Sequence, residues 1–334
     1  MTATLLPDLL DRCMASRGAL FDPPHESAFR LFNGFTEGFP DLVIDLYATT
    51  ALITNYADPP ERGGEWMPAV QDFLHSRLPW LQAGILKTRN GDSTAEKRGG
   101  LIFGDPPAGK IKENGVWYAV DLLMHQDTGL YLDTRCLRSW ALEHLRGKTV
   151  LNAFAYTGSL GVAALAGGAT RVVQLDRNQA FLNMARTSYA LNGLPVHKRD
   201  FMRADFFQQA ARFKRQGERF DCVFLDPPFF SASPQGVVDQ VHETARLINK
   251  VRPLVNHGGL LVTVNNAVYV SGKAYLETLE TLCADGYLSV EELVRVPDDF
   301  AGYPETRSGS PISDPTPFNH STKIAVLNVR RKEQ

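Results

Sequence analysis

Apolar residues recur along this chain in two rhythms, and the balance between them changes once. Near the start, Leu5, Leu6, Leu9, Leu10 and Cys13 repeat at helical spacing, which predicts a short amphipathic helix. Residues 28–60 then read as strands: FRLFNG, DLVIDLYAT and ALITNYA, with Gly34, Gly38 and Pro40 punctuating the first turn. Helical spacing returns over 65–78 with Trp66, Val70, Phe73 and Leu74, and Pro79 ends that helix. AGILKTR predicts another strand. Residues 90–100 (NGDSTAEKRGG) carry turn and charged residues only and predict an exposed loop. LIFGD follows, then KIKENGVWYAVDL, whose Asn-Gly turn at Asn114–Gly115 signals a hairpin.

From residue 135 helix and strand alternate, as a parallel sheet requires. A helix over 135–145 precedes the apolar strand TVLNAFA, the turn YTGS and a small-residue helix, LGVAALAGG. The strand RVVQLD, a helix over 179–191, a short strand before Asp205, a helix around 206–214 and the strand FDCVFLD come next. After DPPFF, a helix is expected over 238–255, then the strand GLLVTVNN and a helix over 271–284. SVEELVRV and TKIAVLNVRR close the pattern as an antiparallel pair. The expected organisation is an N-terminal helical segment over 1–27, a small α+β domain over 28–110 and an α/β domain over 111–334.

Composition changes this picture little. Of 334 residues, 44% are hydrophobic and 22% charged, the proportions of a globular protein. No run approaches the roughly 20 uninterrupted apolar residues of a membrane helix. The start lacks a basic stretch followed by an apolar core, so no signal peptide is expected. Cys13, Cys136, Cys222 and Cys283 stand far apart without a CxxC pair, which predicts neither a metal site nor a disulfide framework and suits a reducing cytoplasm. A net charge of −2 gives no general pull toward nucleic acid.

Candidate chemistry lies where polar residues follow apolar strands, because ligands of open α/β sheets bind outside the carboxyl ends of the strands. The first such end carries Tyr156, Thr157, Gly158 and Ser159, and its glycine lets the backbone approach a ligand. The second ends in Asp176, the place for a carboxylate accepting from two ribose hydroxyls; alone it would read as a helix N-cap. The third ends in Asp205-Phe206, suited to an exocyclic amine and an apolar wall for adenine. The fourth ends in Asp226-Pro227-Pro228-Phe229. Asp-Pro-Pro also occurs at Asp22, Asp58 and Asp105, but only Asp226 follows an apolar strand and precedes two aromatics. Four such ends together describe a nucleoside site. NAD is disfavoured because the first turn lacks the GxGxxG spacing.

HQDTGLYLDTR (125–135), VLNAFAYTGSLGVAALAGGATRVVQLD (150–176), ALNGL, RADFF and FDCVFLDPPFF resemble the large-subunit ribosomal RNA methyltransferases that make 5-methylcytosine or 7-methylguanine. FRLFNGFTEGFPDLVIDLY (29–47) resembles the small central domain of the same family. The resemblance implies a Rossmann-like class I methyltransferase domain with a mostly parallel seven-stranded sheet, S-adenosyl-L-methionine as cofactor and large-subunit rRNA as partner. It places Gln126, Thr128 and Arg135 over the cofactor's methionine portion, with the Arg135 guanidinium on its carboxylate. Ala153, Phe154, Tyr156, Thr157 and Gly158 would form the floor. Asp176 with Arg177 would sit at the ribose, Asp205 and Phe206 at the adenine, and Asp226 beside the methyl group.

Two departures refine that expectation. Full-length cytosine-5 members begin with an RNA-binding domain of the pseudouridine-synthase type, for which too few residues precede Phe29. They also carry a nucleophilic cysteine after the strand equivalent to GLLVTVNN, where this chain has Asn265-Asn266. Without a thiolate to add at carbon-6, carbon-5 of cytosine stays a poor nucleophile. Direct transfer to a base nitrogen is therefore expected, oriented by Asp226, Pro227 and Pro228, with Phe229 or Phe230 stacked on the acceptor. Cytosine-5 chemistry and a small-molecule or protein acceptor stay open. The segment GYPETRSGSPISDPTPFNHSTK, with Arg307, His320 and Lys323, reads equally as a substrate-gripping flap and as a surface loop.

Overall fold

The structure, a computed structural model, describes residues 5–124 and 127–331, and the chain folds as two compact units. The first holds residues up to Leu132 together with Pro297–Pro311; the second holds Asp133–Val296 and the residues from Ile312 onward.

In the first unit, α1 (Leu6–Ser16) is followed by β1 (Ala28–Asn33), the single turn α2 (Gly34–Glu37), β2 (Leu42–Tyr47), β3 (Thr50–Asn55) and α3 (Gly63–Arg77). Then come β4 (Ala83–Thr88), α4 (Thr94–Arg98), β5 (Gly100–Gly104) and a hairpin of β6 (Lys110–Glu113) with β7 (Val116–Ala119). Five strands form one sheet in the order β1-β2-β3-β4-β5, parallel only between β3 and β4, where α3 provides the crossover. Leu6, Leu9, Leu10 and Cys13 of α1 and Trp66, Val70, Phe73 and Leu74 of α3 are buried with Phe29, Leu31, Ile44 and Ile53 of the sheet. The exposed loop expected at 90–100 contains α4 instead. Ser93 Oγ accepts from Glu96 N while Glu96 accepts from Ser93 N, a capping box that stabilises one helical turn among charged residues.

This unit extends past the boundary expected at 110, because the hairpin ties back to it: Lys112 N donates to Glu26 O and Ala108 N to Thr50 Oγ1. Residues 297–311 also belong to it. A buried ion pair, Arg17 Nη1 to Glu37 Oε1 at 2.8 Å, accepts a further bond from Thr306 Oγ1, and Asp299 Oδ2 accepts from Arg30 N. Arg307 Nη2 donates to the carbonyls of Ala301 and Gly302, so this arginine is occupied within the segment.

The second unit runs α5 (Arg135–His144), β8 (Thr149–Ala153), α6 (Ser159–Ala166), β9 (Arg171–Asp176), α7 (Gln179–Leu191), β10 (Phe201–Arg203), α8 (Phe206–Gln216) and β11 (Phe220–Leu225). It continues through β12 (Phe230–Ser233), β13 (Gly236–Asp239), α9 (Thr244–Val251), β14 (Val255–Asn265), α10 (Gly272–Cys283) and β15 (Leu288–Val294). After α11 (Asp298–Ala301), which belongs to the first unit, it closes on β16 (Lys323–Val329). The seven-stranded sheet has the order β10-β9-β8-β11-β14-β16-β15, with β16 antiparallel between β14 and β15. This is the Rossmann-like methyltransferase architecture, preceded by a small α+β unit. Its strands read as near-continuous apolar runs because helices cover both faces.

One expectation fails here. The helix foreseen over 238–255 is only α9, and residues 230–239 form a separate antiparallel hairpin, β12 on β13. Pro234 and Gly236 in SPQG supply a turn that the valines after it obscured.

Candidate active site

Register in the sheet sets the site. Ala153 pairs with Leu175 on one side and Leu225 on the other, and Leu225 pairs with Thr263. The residues that follow, Phe154, Asp176, Asp226 and Val264, therefore emerge at one level along the carboxyl edge. β8 and β11 lie at the centre, where strand order reverses.

The loop after β8 is strained. Phe154 (φ 58°), Tyr156 (φ 51°) and Gly158 (φ 79°) all take positive φ, which for two aromatic residues costs on the order of 1–3 kcal/mol each. Three backbone bonds hold them: Ala155 N to Leu175 O, Tyr156 N to Asp176 Oδ2, and Gly158 N to Ala155 O. A Cβ on Gly158 would meet Ala185 Cβ at 2.6 Å, so both conformation and packing demand glycine. Beneath this loop lies a buried polar network. Gln174 Nε2 donates to Gly158 O and the Tyr189 hydroxyl, and its Oε1 accepts from Asn152 Nδ2. Gln174 is not among the residues singled out by sequence, because a lone glutamine within a strand carries no motif.

Asp176 is no helix cap; Asn178 caps α7. Its Oδ2 accepts from Tyr156 N and its Oδ1 from Asn178 N, both at 2.8 Å, while burial raises its pKa above the ordinary carboxylate value. The Arg177 backbone N–H adds a third bond, which leaves the carboxylate a further lone pair for a ligand. Asp205 caps α8 through Oδ1, which takes Phe207 N and Gln208 N and leaves Oδ2 outside the cap. Phe206 is 4% exposed and packs on Phe154, with centroids 4.4 Å apart. Ala153 is wholly buried, so only its backbone faces the strand end. Thr157 is buried, Arg177 exposed, and Arg135 opens α5 half-buried. Thr128 belongs to the first unit, where its hydroxyl meets Tyr47 Oη and Leu130 O. Gln126 lies outside the described residues.

At the end of β11, Asp226 is partly buried, and its carboxylate has no hydrogen-bond partner among the described residues. Burial first, then the charge of Asp133, pushes it up to about 7. Asp133 is itself fixed by Thr322 Oγ1 at 2.9 Å. Pro227 is buried, whereas Pro228, Phe229 and Phe230 are exposed, the two rings by 46% and 59%. At the start of β16, Lys323 is buried and donates to the carbonyls of Ala267 and Ser321, and burial lowers its pKa to about 8. Lys323 thus joins Arg307 as a basic residue held internally. Cys222 lies wholly buried within β11, where burial raises its thiol pKa, as suits a core residue.

Acceptors with spare lone pairs at Asp176 and Asp205 match a ribose diol and an adenine amine, so these residues fit an adenosyl cofactor. Comparison with known proteins points to the same cofactor class. Residues 81–305 match the family described as S-adenosylmethionine-dependent methyltransferase. The chain is 28% identical over 270 residues to the ribosomal RNA large subunit methyltransferase I of Photobacterium profundum, covering 80% of this chain and 68% of that one. It is 30% identical over 295 residues to the protein of that name from Alteromonas mediterranea, covering 86% and 71%. A solved methyltransferase structure complexed with SAH shares the fold, with a TM-score of 0.82 at 22% identity, covering 98% of this chain and 82% of that one.

Proposed function

The chain belongs to the S-adenosylmethionine-dependent methyltransferase family, and from that premise we propose that it transfers the methyl group to a base nitrogen of large-subunit ribosomal RNA. The bound cofactor supplies a sulfonium methyl, electrophilic enough that the protein need only align the acceptor. Asp176 would accept the two ribose hydroxyls, Asp205 the adenine amine, and Arg135 would hold the methionine carboxylate. Asp226, ionised, accepts an N–H of the acceptor base and turns the nitrogen lone pair toward the methyl. Phe229 stacks on that base, which a duplex must first release from its own stack.

The observation that carries this reading is the unpartnered Asp226 carboxylate beside an exposed aromatic at the central strand end. The names of the relatives support an rRNA acceptor. Asn265-Asn266 where the cytosine-5 enzymes place a thiol, with Cys222 sealed in the core, supports nitrogen over carbon. The test is RNA containing 5-fluorocytosine, incubated with protein and cofactor and run on a denaturing gel. No covalent adduct is expected; a stable adduct at Cys222 or Cys283 overturns nitrogen transfer in favour of cytosine-5 chemistry.

A further inference from the structure

Two consecutive prolines leave the turn after Asp226 without two backbone donors, so no sheet ladder can hold it, and its carbonyls must be fixed from elsewhere. Gln240, 2% exposed, is placed to do so. Its side-chain Nε2 donates to Pro227 O, and its Oε1 accepts from Asn266 N at 2.6 Å. Its main-chain N–H donates to Phe229 O at 3.1 Å, and its carbonyl accepts from Asn265 Nδ2 and Thr244 Oγ1, each at 2.9 Å. One residue at the end of the β12–β13 hairpin thus spans the Pro-Pro turn, the root of the Phe229 ring and the end of β14.

We propose that Gln240 is the positioning residue of the methyl-acceptor subsite, fixing the Pro227 carbonyl and the Phe229 backbone relative to Asp226. The proposal rests on the reading of Asp226-Pro227-Pro228-Phe229 as that subsite. Gln240 acts through these residues and need not touch substrate.

A carboxyl group in place of the amide can exist in two forms, which makes Gln240→Glu a discriminating variant. Protonated, the carboxyl offers one donor and one acceptor and reproduces the glutamine bonds; ionised, it only accepts, and it sets a negative charge against the Pro227 carbonyl. The titratable groups Asp226, Asp133, Asp239, His242 and Lys323 are present in both proteins, so the pH dependence they give in wild type divides out of the ratio. Methyl transfer to ribosomal RNA from a strain lacking the gene is measured per cofactor-loaded molecule, and the rate of the variant is divided by that of wild type. The ratio is expected to fall at least about tenfold between about pH 6 and about pH 9, because a displaced acceptor turn loses alignment. Affinity for S-adenosylhomocysteine stays unchanged. A ratio independent of pH overturns the proposal. If wild type methylates no RNA, the substrate reading fails by itself, and amide exchange decides the clasp. Gln240→Ala must then speed exchange at Asn266 N–H without affecting Val262 or Val264, and equal exchange at Asn266 overturns it.

Discussion

At Asp226 a raised pKa has consequences of both signs. The carboxyl sits near 7 rather than 3.8, so the folded protein favours the protonated form. The stability this contributes is fully present below about pH 4 and is lost as pH rises through about 7. Asp226→Asn should therefore melt several degrees above wild type at pH 8 and together with it near pH 4, as differential scanning calorimetry would show. An equal melting temperature at pH 8 would mean that the carboxylate is not destabilised there. On the proposed mechanism the sign reverses in activity: the ionised form would accept the substrate N–H, so the wild-type rate should rise with pH through about 7, and the asparagine variant should be about tenfold to a hundredfold slower with cofactor affinity intact. In the proposed site Asp176 acts on the cofactor instead. Asp176→Ala removes bonds to two hydroxyls, each worth about 1.5–3 kcal/mol when the acceptor is charged. Titration calorimetry with S-adenosylhomocysteine should show at least a tenfold loss in a variant that remains folded, and unchanged affinity would reduce Asp176 to a backbone anchor for Tyr156 and Asn178.

The loop between β8 and α6 is the element on which the cofactor half of the proposed site depends, and its strain is borne from beneath. Gln174→Ala should strand Asn152 Nδ2 and release the Gly158 carbonyl, at a cost of about 1–3 kcal/mol. Chemical denaturation should register that loss, and S-adenosylhomocysteine should bind more weakly. A variant as stable as wild type would show that the network carries nothing. The strands and helices of the second unit were legible in the sequence because parallel strands buried on both faces read as apolar runs ended by polar residues. The strand-end carboxylates were legible for the same reason. The φ values of Phe154 and Tyr156 were not, since aromatic residues give no sign of a left-handed backbone. Nor was the β12–β13 hairpin, whose Val237 and Val238 merge with the periodicity of α9. Gln240 and Gln174 carry no local sequence signal, because isolated buried amides matter only through partners far away in sequence. The α4 turn, by contrast, is announced by the capping pair Ser93 and Glu96, set among charged residues.

At the scale of the whole molecule, the proposed RNA substrate would need a second surface besides the proposed acceptor subsite, and basic residues of the first unit are the candidates. Lys87 is not among them: it is 2% exposed, donates to Asp127 O, and burial lowers its pKa to about 8. Arg30 is likewise engaged, by a bidentate pair with Asp45 and by stacking on Phe300. Arg89 and Arg98 are exposed and Lys97 half-buried. Neutralising these three should leave cofactor affinity intact and flatten the salt dependence of RNA binding by roughly 0.7–0.9 in log–log slope per lost phosphate contact. An unchanged slope would exclude them as phosphate contacts. Residues 297–311, part of the first unit through Arg17, Glu37 and Asp299, were not separable from the second unit by sequence, because a chain returning to an earlier unit leaves no mark in local pattern. Base-nitrogen methylation meets its most direct test in nucleoside mass mapping. Large-subunit rRNA from a strain lacking the gene would be incubated with the protein and S-adenosylmethionine, digested and sequenced by mass. One new methyl on a base nitrogen is the predicted result; 5-methylcytosine, or no methyl on any nucleotide, would contradict it.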